Sequence, residues 1–303
     1  MLSALKVVVA IILVMGVFSA PPSSRLMAAS EGNADAGQKP AQQATLKPAS
    51  AASPDIPFTD YDPQAEQLLL DLANQARAQA GAPRLTLDAG MSHAARAHAE
   101  AMFAARQLSH QFEGEPSLPQ RLAAATRTQL DQEGENVALD SDPEKGHQHL
   151  MLSPPHRANL LNPAYNVVGL GVIRGGDRLY IVQDFGHALP NYSAAEVKER
   201  IAARVAQVRH QGKQPDLARR DLPTADDAAC SMAQADKLGT SPVHQLAQRY
   251  TVLTYTSLHP EILPENASRI LGSHNLRSFS VGACYARTDT YPTGVYWVVL
   301  SLD

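Results

Sequence analysis

The chain has little cysteine and none of it early: Cys230 and Cys284 are the two among 303 residues. No cysteine follows the apolar stretch near the N-terminus, so a lipoprotein anchor is not expected. A Gly-rich phosphate loop, an H-E-x-x-H pair and a C-x-x-C pair are all missing, and with them the common signatures of nucleotide, helix-borne zinc and thiol redox sites. No sign of charge dominates. The 26 Lys and Arg against 30 Asp and Glu leave a net charge of −4, which gives no footprint for nucleic acid. The early apolar run, Val7 to Phe18, is too short for a comfortable membrane span. Ser109 and Ser153 lack the strand-turn-helix elbow that exposes a catalytic serine.

What is present reads as a secreted globular protein. Hydrophobic residues make up 44% and charged residues 18%, ordinary for a packed domain, and the length allows two. Lys6 followed by the apolar run suits a secretory leader. A cut at Ala20 would leave Pro21 next to it, so residues 1–29 are expected to be a signal peptide cut near Ala28 or Ala29, or an uncleaved anchor. Either way the protein is expected to be extracytoplasmic, in the periplasm, secreted or tethered, with membrane contact only through this segment. Residues 30–57, rich in Ala, Ser, Pro and Gln, bury too little to offset ordering entropy and read as a disordered linker.

Helical spacing of Leu68, Leu69, Leu72 and Ala76 predicts a helix from Asp62 to Ala80, stopped by Gly81. Leu85 to Asp88 is a short extended piece. Helices are predicted over Ala89–Arg106 and Leu118–Ala125, with a further turn or two over Glu144–Leu152 stopped by Pro154-Pro155. Val167–Ile173 and Leu179–Phe185 flank Gly175-Gly176-Asp177, a hairpin signal.

The remainder repeats this order. Ala195–Gln211 ends at Gly212 as the first helix ends at Gly81. DLPTADDAACSMAQADKL echoes DAGMSHAARAHAEAMFAARQL, and ASRILGSHNLRSFSVGACYAR echoes RANLLNPAYNVVGLGVIR. The second copy is expected to lack the middle of the first, since no LSH, GEN or PPHR string appears between Leu238 and Ala267. The alignment puts Cys230 on a helix and Cys284 on a strand. A bridge would close a loop of roughly fifty residues and contribute roughly 4 kcal/mol on the chain-entropy model; two buried free thiols are the alternative.

His110, Glu135 and His156 are the sharpest candidates for chemistry. Two imidazoles and a carboxylate make either a zinc-type site with open positions or an acid/base pair. Spacing alone does not bring the histidines together. Asn136 and Asn159 suit loop backbone, Gln183 either points into the site or caps a sheet face, and His147 and His149 read as a solvated helix end. His93 and His98 carry little functional weight.

The strings GENVA, SPPHRANLLNPAYNVVGLGV and YIVQDFG, preceded by LSH, resemble the CAP superfamily (cysteine-rich secretory proteins, antigen 5 and pathogenesis-related proteins), in its bacterial SCP-like branch. The resemblance covers about residues 62–187. It implies an α+β fold, a three-layer α-β-α sandwich, over residues 58–190, with residues 191–303 a degenerate CAP-like repeat that lacks the site residues. It also implies a surface cleft lined by His110, Glu135 and His156, joined by Asn136 and Gln183, able to hold zinc or another divalent cation. Many members add a second glutamate after a tryptophan. Here Leu150 takes the tryptophan position and that glutamate is missing, with Glu133 and Glu144 poor substitutes.

Two functions follow. The favoured one is a non-catalytic binding module for an envelope lipid, glycan or peptide. The other is a zinc-assisted, peptidase-like hydrolase with Glu135 as base. A third reading, a structural envelope protein with a vestigial cleft, would be supported by His110 and His156 lying far apart and opposed by a deep cleft with converging histidines. The sequons at Asn191 and Asn266 matter only in a glycosylating pathway.

Overall fold

The computed structural model describes residues 61–303 and the backbone of Val7–Val9. The expected leader and linker otherwise lie outside the described residues, and among these no helix is long and apolar enough to cross a membrane.

The first lobe holds α1 (Pro63–Gln79), β2 (Thr86–Leu87), α2 (Ala89–Ala105), α3 (Leu118–Ala125), β3 (Leu130–Asp140), α4 (Pro143–Leu152), α5 (Pro154–Leu161), β4 (Val167–Gly175) and β5 (Arg178–Ala188); β1 is Val7–Val9. Asp62 and Asp88 begin their helices by accepting from the amides of Ala65 and Met91, the N-cap chemistry that satisfies orphan donors. The sheet order is β2-β4-β5-β3, and Gly176 (φ 66°) turns the β4–β5 hairpin. One face packs Leu170, Val172 and Ile181 against α1, α4 and α5. The other packs Val137, Tyr180 and Val182 against α2. Three layers result, and each fully buried aliphatic side chain contributes roughly 1.5–3 kcal/mol. Helix α2 lies so close that a Cβ on Gly171 would run into the backbone of Ala95.

Two expectations change. The Pro154-Pro155 pair does not merely stop α4; it opens α5, where proline suits the first turn because its missing N–H is an orphan anyway. The polar segment LDQEGENVALD, not expected as a strand, forms β3 at the sheet edge, paired along its length with β5.

The second lobe holds α6 (Ala194–Gln211), β6 (Ala218–Arg219), α7 (Pro223–Gln234), α8 (Ser241–Ala247), β7 (Thr251–Ser257), α9 (Ala267–Leu271), β8 (Ser278–Ala286) and β9 (Val295–Leu302). Its sheet, β1-β7-β9-β8-β6, is again covered by helices on both faces: α6 and α9 on one, α7 and α8 on the other. A buried arginine marks the repeat. Arg77 donates to the carbonyls of Pro83, Leu160, Asn162 and Tyr165. Arg209 donates to those of Pro215, Leu271 and Ser273. The middle of the repeat, expected to be missing, is present as α8 and β7, which keep the elements without the LSH, GEN and PPHR strings. Cys230 and Cys284 form a disulfide with a Cα–Cα distance of 5.1 Å, pinning α7 to β8.

Candidate functional site around His110 and His156

Helix α2 ends at Arg106 in a left-handed turn (φ 52°), and the loop that follows carries His110 over Glu135, midway along β3. Helix α5 brings His156 to the same place. The two rings lie 6.5 Å apart, tilted by 31°, so the fold joins histidines that lie far apart in sequence, and distance gives the vestigial reading no support. His110 faces solvent, its side chain 59% exposed, and His156 beside it is half-buried. Cavities of about 520 and 490 Å³ lie elsewhere, in the second lobe.

Glu135 lies beneath His110 rather than beside the pair. Its Oε1 is 2.9 Å from His110 Nδ1, and its Oε2 accepts from Arg121 Nη2 at 2.7 Å. Arg121, on α3, also donates to Glu115 Oε1 at 3.2 Å and to the His110 carbonyl at 3.3 Å. His98 stands behind them, Nδ1 2.6 Å from Glu115 and Nε2 2.9 Å from the Ser109 carbonyl. Asp184 faces Glu135 across the β3–β5 register. Burial, and then the charge of Glu135, push the Asp184 carboxyl well above the usual range. Burial also pushes Glu115 up, but the Phe112 amide, His98 and Arg121 outweigh it and hold it below its ordinary value.

Asn136 and Gln183 are buried under the site rather than on its surface, which corrects the expectation that they line it. Asn136 donates to the His156 carbonyl and to Gln183 Oε1. Asn159 donates to the Glu135 carbonyl and to Asn136 Oδ1. These amides tie α5 to β3 and so place His156. Its imidazole is shifted below the ordinary histidine value by burial and then by the charge of His110. His149 is exposed on Asp140, whereas His147 is buried and not the solvated residue expected. Of the two weak substitutes for the missing glutamate, Glu144 is exposed. Glu133 is half-buried, its carboxyl raised by burial and by Asp131.

Arg121, Glu115 and Asp184 were not singled out in the sequence, and His98 was given little functional weight although it is buried against Glu115. Two signals were available: an arginine within LPQRLAAA, and an acid within the otherwise apolar run LYIVQDF, where an unpaired charge would be costly.

A resident zinc does not fit this donor set. Catalytic zinc sites have three protein ligands. Here two imidazoles have no third ligand beside them, because both Glu135 oxygens are engaged by His110 and Arg121. Among the described residues no group of three or more His, Cys, Asp or Glu side chains is arranged to hold a metal ion. Glu135 instead stands as the carboxylate that orients a histidine ring.

The second lobe has no such site. Taking the Ala218–Ser278 pair as the counterpart of Thr86–Val167, Leu253 and Leu300 face each other where Asn136 faces Gln183, and Val252 faces Ser301 where Glu135 faces Asp184.

No curated protein matches the chain. Among solved structures, an extracellular protein containing a SCP domain from Bacillus anthracis is 27% identical, with a TM-score of 0.38, covering 42% of this chain and 41% of that one. The chain thus spans about two fifths of that relative's length. Na-ASP-1 is 8% identical with a TM-score of 0.44, covering 79% of this chain and 89% of that one. NaASP2 with Zn2+ is 13% identical with a TM-score of 0.32, covering 43% and 82%. All three TM-scores lie below 0.5, and the assignment rests on residues 70–185, which match the model of the CAP, cysteine-rich secretory protein, family. Residues 70–185 of this chain are therefore a CAP domain.

Proposed function

We propose that the chain is an extracytoplasmic binding module whose His110–His156 surface takes a cell-envelope lipid, glycan or peptide. The observation that carries this is the pairing of an exposed imidazole with a half-buried one, 6.5 Å apart, over a carboxylate that is already used. A hydrolase in the same place needs Glu135 as base. A general base must reach the proton it takes, and Glu135 is buried, with Arg121 on one oxygen and His110 on the other. The second lobe, which keeps the fold and replaces Glu135 and Asn136 with Val252 and Leu253, behaves as a scaffold. The secretory leader expected at the N-terminus and the extracellular setting of the Bacillus anthracis SCP protein support the location.

Three probes test this: solubilised peptidoglycan fragments, phospholipid vesicles and short peptides, each titrated into the full chain and into its His110→Ala and His156→Ala variants. One probe is expected to bind the wild type and lose affinity in both variants. Equal binding by all three proteins would place recognition elsewhere.

A further inference from the structure

The charged cluster behind His110 does more than hold the lobe together. Arg121 Nη2 donates both to Glu135 Oε2 and to the His110 carbonyl, at 2.7 and 3.3 Å. One guanidinium thus fixes the carboxylate that meets the ring and the main chain that carries it. The arrangement is rigid because Arg121 and Glu135 are 8% and 5% exposed at their side chains, and because Glu115 takes the remaining Nη1. Asp184, opposite Glu135, has no cation and no hydrogen-bond donor of its own. Of two facing carboxyls, the one that accepts from arginine is the one whose charge the surroundings favour. An anionic oxygen 2.9 Å from His110 Nδ1 accepts from an N–H, which selects one tautomer of the neutral ring.

We propose that Arg121 is the positioning residue of the site, fixing His110 through Glu135 and the main chain with hydrogen on Nδ1 and a lone pair at Nε2. That lone pair is what His110 offers a ligand. It accepts from a hydroxyl or an N–H and gives nothing to a carboxylate or phosphate oxygen. Among envelope molecules, a hydroxyl-rich glycan or a peptide N–H fits it better than a phospholipid headgroup. This ligand preference rests on the binding reading above; the tautomer does not.

The test is long-range proton–nitrogen correlation NMR on the uniformly ¹⁵N-labelled full chain at pH 8, with the histidine rings assigned by substitution. Wild-type His110 is expected to show a protonated Nδ1 and an unprotonated Nε2. Arg121→Gln is expected to move it toward the Nε2–H form that free histidine prefers in water, leaving the His187 pattern unchanged. Arg121→Lys, which keeps the charge but loses the fork, is expected to restore the wild-type pattern in part. An Nε2–H ring in the wild type would overturn the proposal without any variant, and so decides the matter should Arg121→Gln fail to fold. An unaltered Nδ1–H ring in folded Arg121→Gln would overturn it equally. Neither result depends on whether any envelope probe binds, so a failed ligand search and a failed tautomer are told apart.

Discussion

Glu135 and Asp184 stand directly opposite each other on β3 and β5, and only Glu135 has a cation, Arg121. The pair therefore has opposite demands on pH. Asp184 has its folded pKa raised by burial and by Glu135. An acid raised on folding contributes stability that is full below its unfolded value, about 3.9, and lost as pH rises through the folded value. Asp184→Asn removes that loss. The variant is expected to melt higher than wild type at pH 8 and to gain nothing at pH 4. Equal gains at both values would show that Asp184 is ionised in the native state.

Breaking the other half of the pair has the opposite sign. Arg121→Met leaves Glu135 and Glu115 buried without their cation and is expected to cost about 3–5 kcal/mol, the range for removing one partner of a buried ion pair. Adding Glu135→Gln should recover part of the loss. Urea denaturation of the two single variants and the double variant measures the coupling, and simple additivity would refute it.

The His156 imidazole is shifted below the ordinary histidine value from two sides, by burial first and by His110 second. A base lowered on folding contributes stability present above its unfolded value, about 6.5, and lost as pH falls through the folded value. NMR titration should place its midpoint below that of free histidine. His110→Ala should raise the midpoint only part of the way, because burial remains.

The disulfide between Cys230 and Cys284 spans 54 positions and ties a helix to the sheet of the second lobe. Reduction, or Cys230→Ser with Cys284→Ser, is expected to lower stability by roughly 4 kcal/mol on the loop-entropy model. Protection of β8 and β9 amides from hydrogen exchange should fall most. An unchanged denaturation midpoint would mean that packing alone fixes α7 on β8.

Much of the scaffold was legible because its elements obey one period each: Leu68, Leu69, Leu72 and Ala76 at helical spacing, Val167 to Ile173 in an apolar strand, a glycine at the turn. Strand β3 was not, because the residues that build the site make it polar and hide its pattern. Helix α5 was hidden by Pro154, which reads equally as a stop and as a first turn. Strand β7 was masked because Val252 and Leu253 replaced the very residues that mark β3. His110, Glu135 and His156 could be named through the family resemblance, yet their arrangement could not. That Glu135 orients rather than ligates depends on Arg121, which arrives from a different helix, and no local pattern reports such a partnership.

The most direct measurement is calorimetric titration of solubilised peptidoglycan fragments into the full chain and into His156→Ala, with no metal added. The account predicts binding in the wild type and its loss in a variant that melts at the same temperature. Binding undiminished in the variant, or binding only when zinc is supplied, would contradict a site built on two free imidazoles.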